Sequence, residues 1–492
     1  MPFVSRKNSQ SIAIKLVTRE ALQNQKKRSS EHDWLKTNGF EGKPGTTCFV
    51  PKQAQGQVRL FVGVKESKKL GDEIWDLAGL PKQLPKGRYH IEDHLSPEKA
   101  TKIATGWALG EYQFSKHKKH AKCEAELVWP TSADRAEVNR LASGITITRD
   151  LINLPANDLG PLELADATKK IAKAYRASVT VIKGKELLNK NYPSVHAVGR
   201  ASSRAPCLID LQWGKRSSPK ITLVGKGVCF DSGGLDIKPA SGMLNMKKDM
   251  GGAAQVLGLA HMIMDAGLSI RLRVLIPAVE NAISGDAFRP RDVLQTRKGI
   301  TVEVGNTDAE GRLILSDALT EASKDKPEMI IDFATLTGAA RVAVGTDLPA
   351  LFCNNDKLAQ KIIEFGLKNN DPVWRLPLWE GYKHLIESNV ADLSSTGSTP
   401  FGGAITAALF LENFIEGDIP WAHIDLMAYN TRARPGRPEG GEALRVHFSL
   451  LRGGCRRLSA YHPVPPPSSV RRRRSVDDGR REAASLARGG RR

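Results

Sequence analysis

From about residue 156 to residue 440, strand-like apolar runs alternate with runs of helical period, and this alternation constrains the fold more than any other feature. "SVTVIKG", "CLIDLQWG", "KITLVGKGVCF", "IRLRVLIPAVEN", "MIIDFATLTGAA" and "WAHIDLMAY" read as strands separated by helices. The pattern predicts an α/β fold with a central mixed sheet flanked by helices. One junction is unusual. "GITVEVG" alternates apolar and polar residues like a half-buried strand, and "RLILSDALTEASK" places Leu313, Leu315, Ala318, Leu319 and Ala322 at helical spacing. Between them lies "GNTDAEGRL". If that stretch is extended, Asp308, Glu310 and Arg312 project to one side. They would do so at a strand end, where open α/β sheets build their sites.

The chain divides into four parts. Residues 1–134 read as a smaller N-terminal α/β domain, with "SIAIKLV" and "VRLFVGV" as strands and "SPEKATKIATGWALGEYQF" as a capped amphipathic helix. A linking helix is expected over 135–155, ending near Pro155, and a larger catalytic domain over 156–441. Residues 442–492 form an atypical Arg-rich tail, expected to be disordered. The net charge of +20 suggests nucleic acid until it is divided: +8 lies in residues 1–134, +2 in 135–444 and +10 in 445–492. The basic ends therefore flank a nearly neutral middle. Six scattered cysteines without a CxxC pair suit a reducing cytoplasm. Neither a secretory h-region nor a membrane span of about 18–20 apolar residues is legible, so no membrane partner is expected.

A second stretch carries chemistry, "VGKGVCFDSGGLDIKPASGMLNMKKDMGGAA", where Lys226, Asp231, Lys238 and Asp249 are embedded among glycines. Glycines beside charges imply backbone packed close to a ligand. Neither a P-loop nor HExxH is present. Pooled, the two stretches offer more carboxylates than one metal ion needs. Two divalent ions about 3.5–4 Å apart would use them, because a bridging carboxylate offsets their repulsion and a shared water becomes a hydroxide source. A lysine joins such a shell only as the neutral amine. A second lysine and the arginine would stabilise the oxyanion formed at an attacked carbonyl.

"NTDAEGRL" is the signature octapeptide of the leucyl (cytosol) aminopeptidase family. The chain resembles that family also through "VGKGVCFDSGGLDIKP", "MKKDMGGAA", "RDLINLPANDLGP" and "ATLTGAA", over about residues 135–440. The resemblance implies a metal-dependent aminopeptidase that releases N-terminal, leucine-like residues from peptides by two-metal activation of a bridging water. It implies that Lys226, Asp231, Asp249 and Glu310 hold the tighter ion and that Asp231, Asp308 and Glu310 hold the exchangeable one. Lys238 would polarise the scissile carbonyl, and Arg312 would hold a bicarbonate acting as general base. Met246, Thr335 and Gly338 would line the side-chain pocket. Manganese or zinc is expected, although such donors also accept cobalt or magnesium. The family further implies a homohexamer. The chain departs from it after "GGEAL", where "RVHFSLLRGGCRRL" lacks a good apolar pattern.

A competing reading is a DNA-binding protein using the basic N-terminal domain, "QKKR" at 25–28, "KHKKH" at 116–120 and the tail. Salt-steep affinity that survives tail deletion would mark it.

Overall fold

The computed structural model describes residues 2–24, 29–51, 58–66 and 72–443. "QKKR" and the tail from residue 444 onward lie outside the described residues. Among the described residues no helix is long and apolar enough to cross a membrane.

The N-terminal part is a six-stranded sheet, parallel except for its edge strand Thr47–Pro51, which runs antiparallel to Val58–Gly63. Helix Pro97–Glu111 lies on it, starting where Ser96 Oγ accepts the Lys99 N–H and Pro97 presets the first turn. Trp107, fully buried, faces Tyr89 of the sheet with ring centroids 6.4 Å apart.

The second sheet has nine strands and is mixed. At its centre Met329–Ala334, Lys220–Gly225 and Arg271–Asn281 run parallel side by side, and Trp421–Asp425 continues that direction. Both faces are covered, so successive residues enter different cores. Ile221, Leu223, Ile331 and Phe333 pack under helices Pro161–Ala174 and Gly251–Asp265. Val224, Ile330 and Ala334 pack on the opposite side with helices Glu310–Lys324 and Gly403–Glu412.

The helix expected to link the two parts runs Arg135–Asn153, with Asp134 accepting the Glu137 N–H as its cap. It is a packed element rather than a tether. Thr148 Oγ1 donates to Ala254 O across 3.1 Å, which brings the helix close against Gly251–Asp265.

"KITLVGKGVCF" is two strands. Lys220–Gly225 pairs with the first half of Arg271–Asn281, Gly227–Asp231 pairs with its second half, and Lys226 sits in the break. That break positions the site. Lys226 leaves the ladder, its N–H donating to Phe333 O and its carbonyl accepting the Ala253 N–H, so its side chain enters the space beyond the strand ends. Gly252 makes the approach possible, since a Cβ there would lie 2.0 Å from Phe333 O.

Candidate active site

Four carboxylates and two lysines meet at the carboxyl ends of the central strands. Asp231 ends Gly227–Asp231, Asp249 lies on the 3-10 turn Met246–Met250, and Asp308 and Glu310 come from the octapeptide. Lys226 Nζ stands 2.6 Å from Asp249 Oδ2 and 2.8 Å from Glu310 Oε1, and donates to Thr335 O at 3.0 Å. Lys238 Nζ is 2.8 Å from Asp231 Oδ2 and also pairs with Asp308 Oδ1. Lys226, Asp231, Asp249 and Glu310 are buried, whereas Lys238 and Asp308 border solvent.

The octapeptide converges by a different geometry from the extended one expected. Thr307–Ala309 is a 3-10 turn and Glu310 opens the helix Glu310–Lys324. Asp308 and Glu310 still share one spot because the turn carries the first against the helix start carrying the second. Arg312 lies inside the first helical turn, and its Nη1 donates to Ser395 O at 2.6 Å, so it does not simply extend a row of side chains.

The charges are poorly balanced. Burial, then the Asp231 and Asp249 charges, push the Glu310 carboxyl up to about 8. Burial and Asp249 raise Asp231 to about 6. Burial also opposes ionising Asp249, but Lys226 and Lys248 hold it below the usual carboxylate range. Burial alone would lower the Lys226 ammonium, and the surrounding carboxylates outweigh it and hold it above its ordinary value. More positive charge is what this cluster lacks.

The donor set suits divalent cations on that ground and on geometry. Asp231, Asp308 and Glu310 each present an oxygen within 4.8 Å of the others. Asp249 Oδ2, Asp308 Oδ1 and Glu310 Oε1 face lysine ammoniums at ion-pair distance, yet accept no hydrogen bond of ordinary geometry. Oxygen donors with one amine are the chemistry of hard or borderline divalent ions.

Several positioning contacts carry no signature in the sequence, among them that of Thr335, expected only as a pocket residue. Asn281 Nδ2 donates to Asp231 Oδ1 at 2.9 Å and to Thr307 O at 3.0 Å, tying the two carboxylate-bearing loops together. Thr335 Oγ1 bonds Asp249 Oδ1 at 2.8 Å. Asp236 Oδ2 accepts the Thr307 N–H at 2.7 Å. Ser395 holds Arg312 through its carbonyl, and its Oγ accepts the Gly305 N–H at 2.9 Å. A strand-terminal Asn or a Ser some 83 residues from its partner has no spacing that marks it. Arg312 keeps donors in reserve: its buried Nε has no partner among the described residues, and burial lowers its guanidinium to about 10. Such a group suits an anion.

Met246 precedes Asp249 on the same turn, Thr335 follows the strand Met329–Ala334, and Gly338 opens the helix Gly338–Val344. Of these, contact with the carboxylate cluster is direct for Thr335. In the basic run 116–120, Lys116 and His117 both pair with Asp158, so they tie a surface loop down.

Gly311 shows how tightly the cluster is built. A Cβ there would lie 2.5 Å from Lys226 Cε and 2.8 Å from its Nζ. Gly311→Ala therefore displaces the lysine, and kcat/KM is expected to fall roughly 10²-fold, as for displacements near 1 Å. Steady-state kinetics beside an unchanged circular-dichroism spectrum checks this.

Residues 146–448 match the family model described as the catalytic domain of the cytosol aminopeptidase family, and residues 12–130 match that of the M17 aminopeptidase N-terminal domain. A probable cytosol aminopeptidase of Roseiflexus castenholzii is 40% identical over 449 residues, 85% of this chain and 91% of that protein. The crystal structure of a cytosol aminopeptidase from Coxiella burnetii superposes with a TM-score of 0.87 at 48% identity, covering 92% of this chain and 99% of that one. The bottromycin maturation enzyme BotP in complex with Mn is similar at a TM-score of 0.82 and 30% identity, covering 91% of this chain and all (100%) of that one.

Proposed function

The chain belongs to the cytosol aminopeptidase family and is an aminopeptidase, and on that premise we propose that it releases leucine-like N-terminal residues with the help of two divalent cations. Lys226, Asp231, Asp249 and Glu310 would hold one, and Asp231, Asp308 and Glu310 the other. The observation that carries this reading is the trio of carboxylates with oxygens within 4.8 Å of one another in a buried, positively undersupplied cluster. Manganese is favoured by the relative whose structure contains Mn, with zinc as the alternative.

Bound divalent ions supply Lewis acidity, which polarises a carbonyl and makes a water a stronger acid. The protein's own groups complete the chemistry. Lys238 sits at the mouth of the cluster, 14% exposed along its side chain, and its ammonium hydrogens turn from Asp308 to the scissile carbonyl oxygen as negative charge develops there. Arg312, anchored on Ser395 O, would hold a bicarbonate through its remaining N–H groups, and that anion would supply the general base. Met246 and Thr335 give the side-chain pocket apolar walls, and Gly338 leaves it open. Asn281 keeps the Asp231 and Thr307 loops in register.

A homohexamer is part of the same proposal. Val342 (89% exposed) and Phe401 (80% exposed) leave apolar surface in water on neighbouring segments, since Gly403 packs against Ala339, and such surface suits burial by a second copy. A cytoplasmic location accords with the names of the relatives.

The test is substrate choice by metal-supplemented protein. Leucine-p-nitroanilide should be cleaved and N-acetyl-leucine-p-nitroanilide should not, because the free α-amino group is part of recognition. Equal cleavage of both would refute an aminopeptidase site.

A further inference from the structure

Arg341 places a guanidinium beside Gly338. It lies one turn after Gly338 on the helix Gly338–Val344, so the two share a face. Its Nη2 lies 3.5 Å from where a Gly338 Cβ would stand, and its Nη1 lies 3.7 Å from Met427 Sδ. The head group thus reaches over the glycine toward Met427. Among the described residues it forms no ion pair. The nearby Asp425 is already engaged, its carboxylate accepting from Leu336 N at 3.0 Å, Thr337 N at 3.2 Å and Thr337 Oγ1 at 2.6 Å. A planar guanidinium with free N–H pairs is built for a carboxylate.

We propose that Arg341 extends the substrate range to peptides with N-terminal aspartate or glutamate, receiving the side-chain carboxylate while the apolar walls pack its methylenes. This rests on the reading of Met246, Thr335 and Gly338 as the side-chain pocket. Leucine-like residues remain substrates because the head group lies at the rim, where it stays solvated when no anion is present.

The experiment compares kcat/KM for glutamate-, leucine- and lysine-p-nitroanilide in manganese-loaded full-length protein, wild type against Arg341→Leu and Arg341→Glu. These substrates carry no C-terminal carboxylate, so only the side chain reports. Loss of one charge-assisted bond corresponds to about 10- to 100-fold. The glutamate-to-leucine ratio should fall by that factor in Arg341→Leu, chiefly through KM. In Arg341→Glu the lysine-to-glutamate ratio should rise by at least as much. Leucine cleavage with an unchanged glutamate-to-leucine ratio overturns the proposal and leaves the aminopeptidase reading standing. Folded, metal-loaded wild type that cleaves none of the three overturns both. A second source of carboxylate is the C-terminus of a dipeptide. If Arg341→Leu impairs Leu-Gly relative to Leu-Gly-amide while sparing glutamate-p-nitroanilide, the guanidinium serves that group instead and the proposal fails.

Discussion

Glu310→Gln is expected to lower kcat/KM by at least about 10³-fold, the scale of removing a central electrostatic element from an active site, while the metal-free protein keeps or gains stability. The two effects separate function from fold. Glu310 is 1% exposed and lies with Asp231 and Asp249 in a cluster that carries too much negative charge. Its folded-state carboxyl titrates near 8, above the ordinary value of 4.5, so the cost of ionising it in the fold grows as pH rises between those values. A neutral amide of the same shape removes that cost and also removes the negative charge proposed to hold the cations. Thermal melts in chelator across pH 5–8 should show wild type losing more stability than the variant. A variant that retains turnover would mean that Glu310 is a spectator.

The second large effect concerns the end of the described chain. Arg149, fully buried on the helix Arg135–Asn153, donates through Nη2 to Gly436 O at 2.8 Å and to Glu442 Oε1 at 3.0 Å. Asn430 Nδ2 reaches Glu442 Oε2 at 2.7 Å, and Gln255 Nε2 holds the Glu442 carbonyl at 2.6 Å. The segment leading to residue 443 is thereby fastened to the helix between the two sheets. Burial opposes the Glu442 charge, but Arg149 and Arg437 outweigh it and hold the carboxyl down to about 2. Breaking a buried pair from one side costs about 3–5 kcal/mol. With the Glu442 side chain still 18% exposed, Arg149→Met is expected near the lower end of that range. Glu442 has a depressed folded pKa, so its contribution is complete above about pH 4.5 and is lost as pH falls through about 2. Urea unfolding should show a wide gap between wild type and variant at pH 7 that closes toward pH 2. A gap that does not change with pH would assign the loss to packing against Tyr112 instead, whose ring centre lies 5.3 Å from the guanidinium carbon.

Most of the architecture was legible because it rests on local pattern. "MIIDFA" is buried along its whole length and "CLIDLQW" over its first three residues, and such mostly apolar runs mark interior strands despite an embedded Asp. The break at Lys226 was not legible, because "LVGKGV" reads as one strand until Gly252 and Phe333 are seen crowding it. At the site, the charged residues announced themselves by type and by their glycine settings. The geometry of the octapeptide did not, since two-residue alternation describes an extended segment and says nothing of a 3-10 turn entering a helix. Asn281 and Ser395 act through contacts distant in sequence and stayed invisible.

The measurement closest to the central claim is a metal titration. Protein stripped by chelation and dialysis is loaded stepwise with manganese, and bound metal per chain is counted beside leucine-p-nitroanilide turnover. Two ions per chain at full activity, with negligible activity in the stripped protein, is the predicted result. Full turnover in protein holding no divalent metal, or none at any loading of a folded protein, would contradict it.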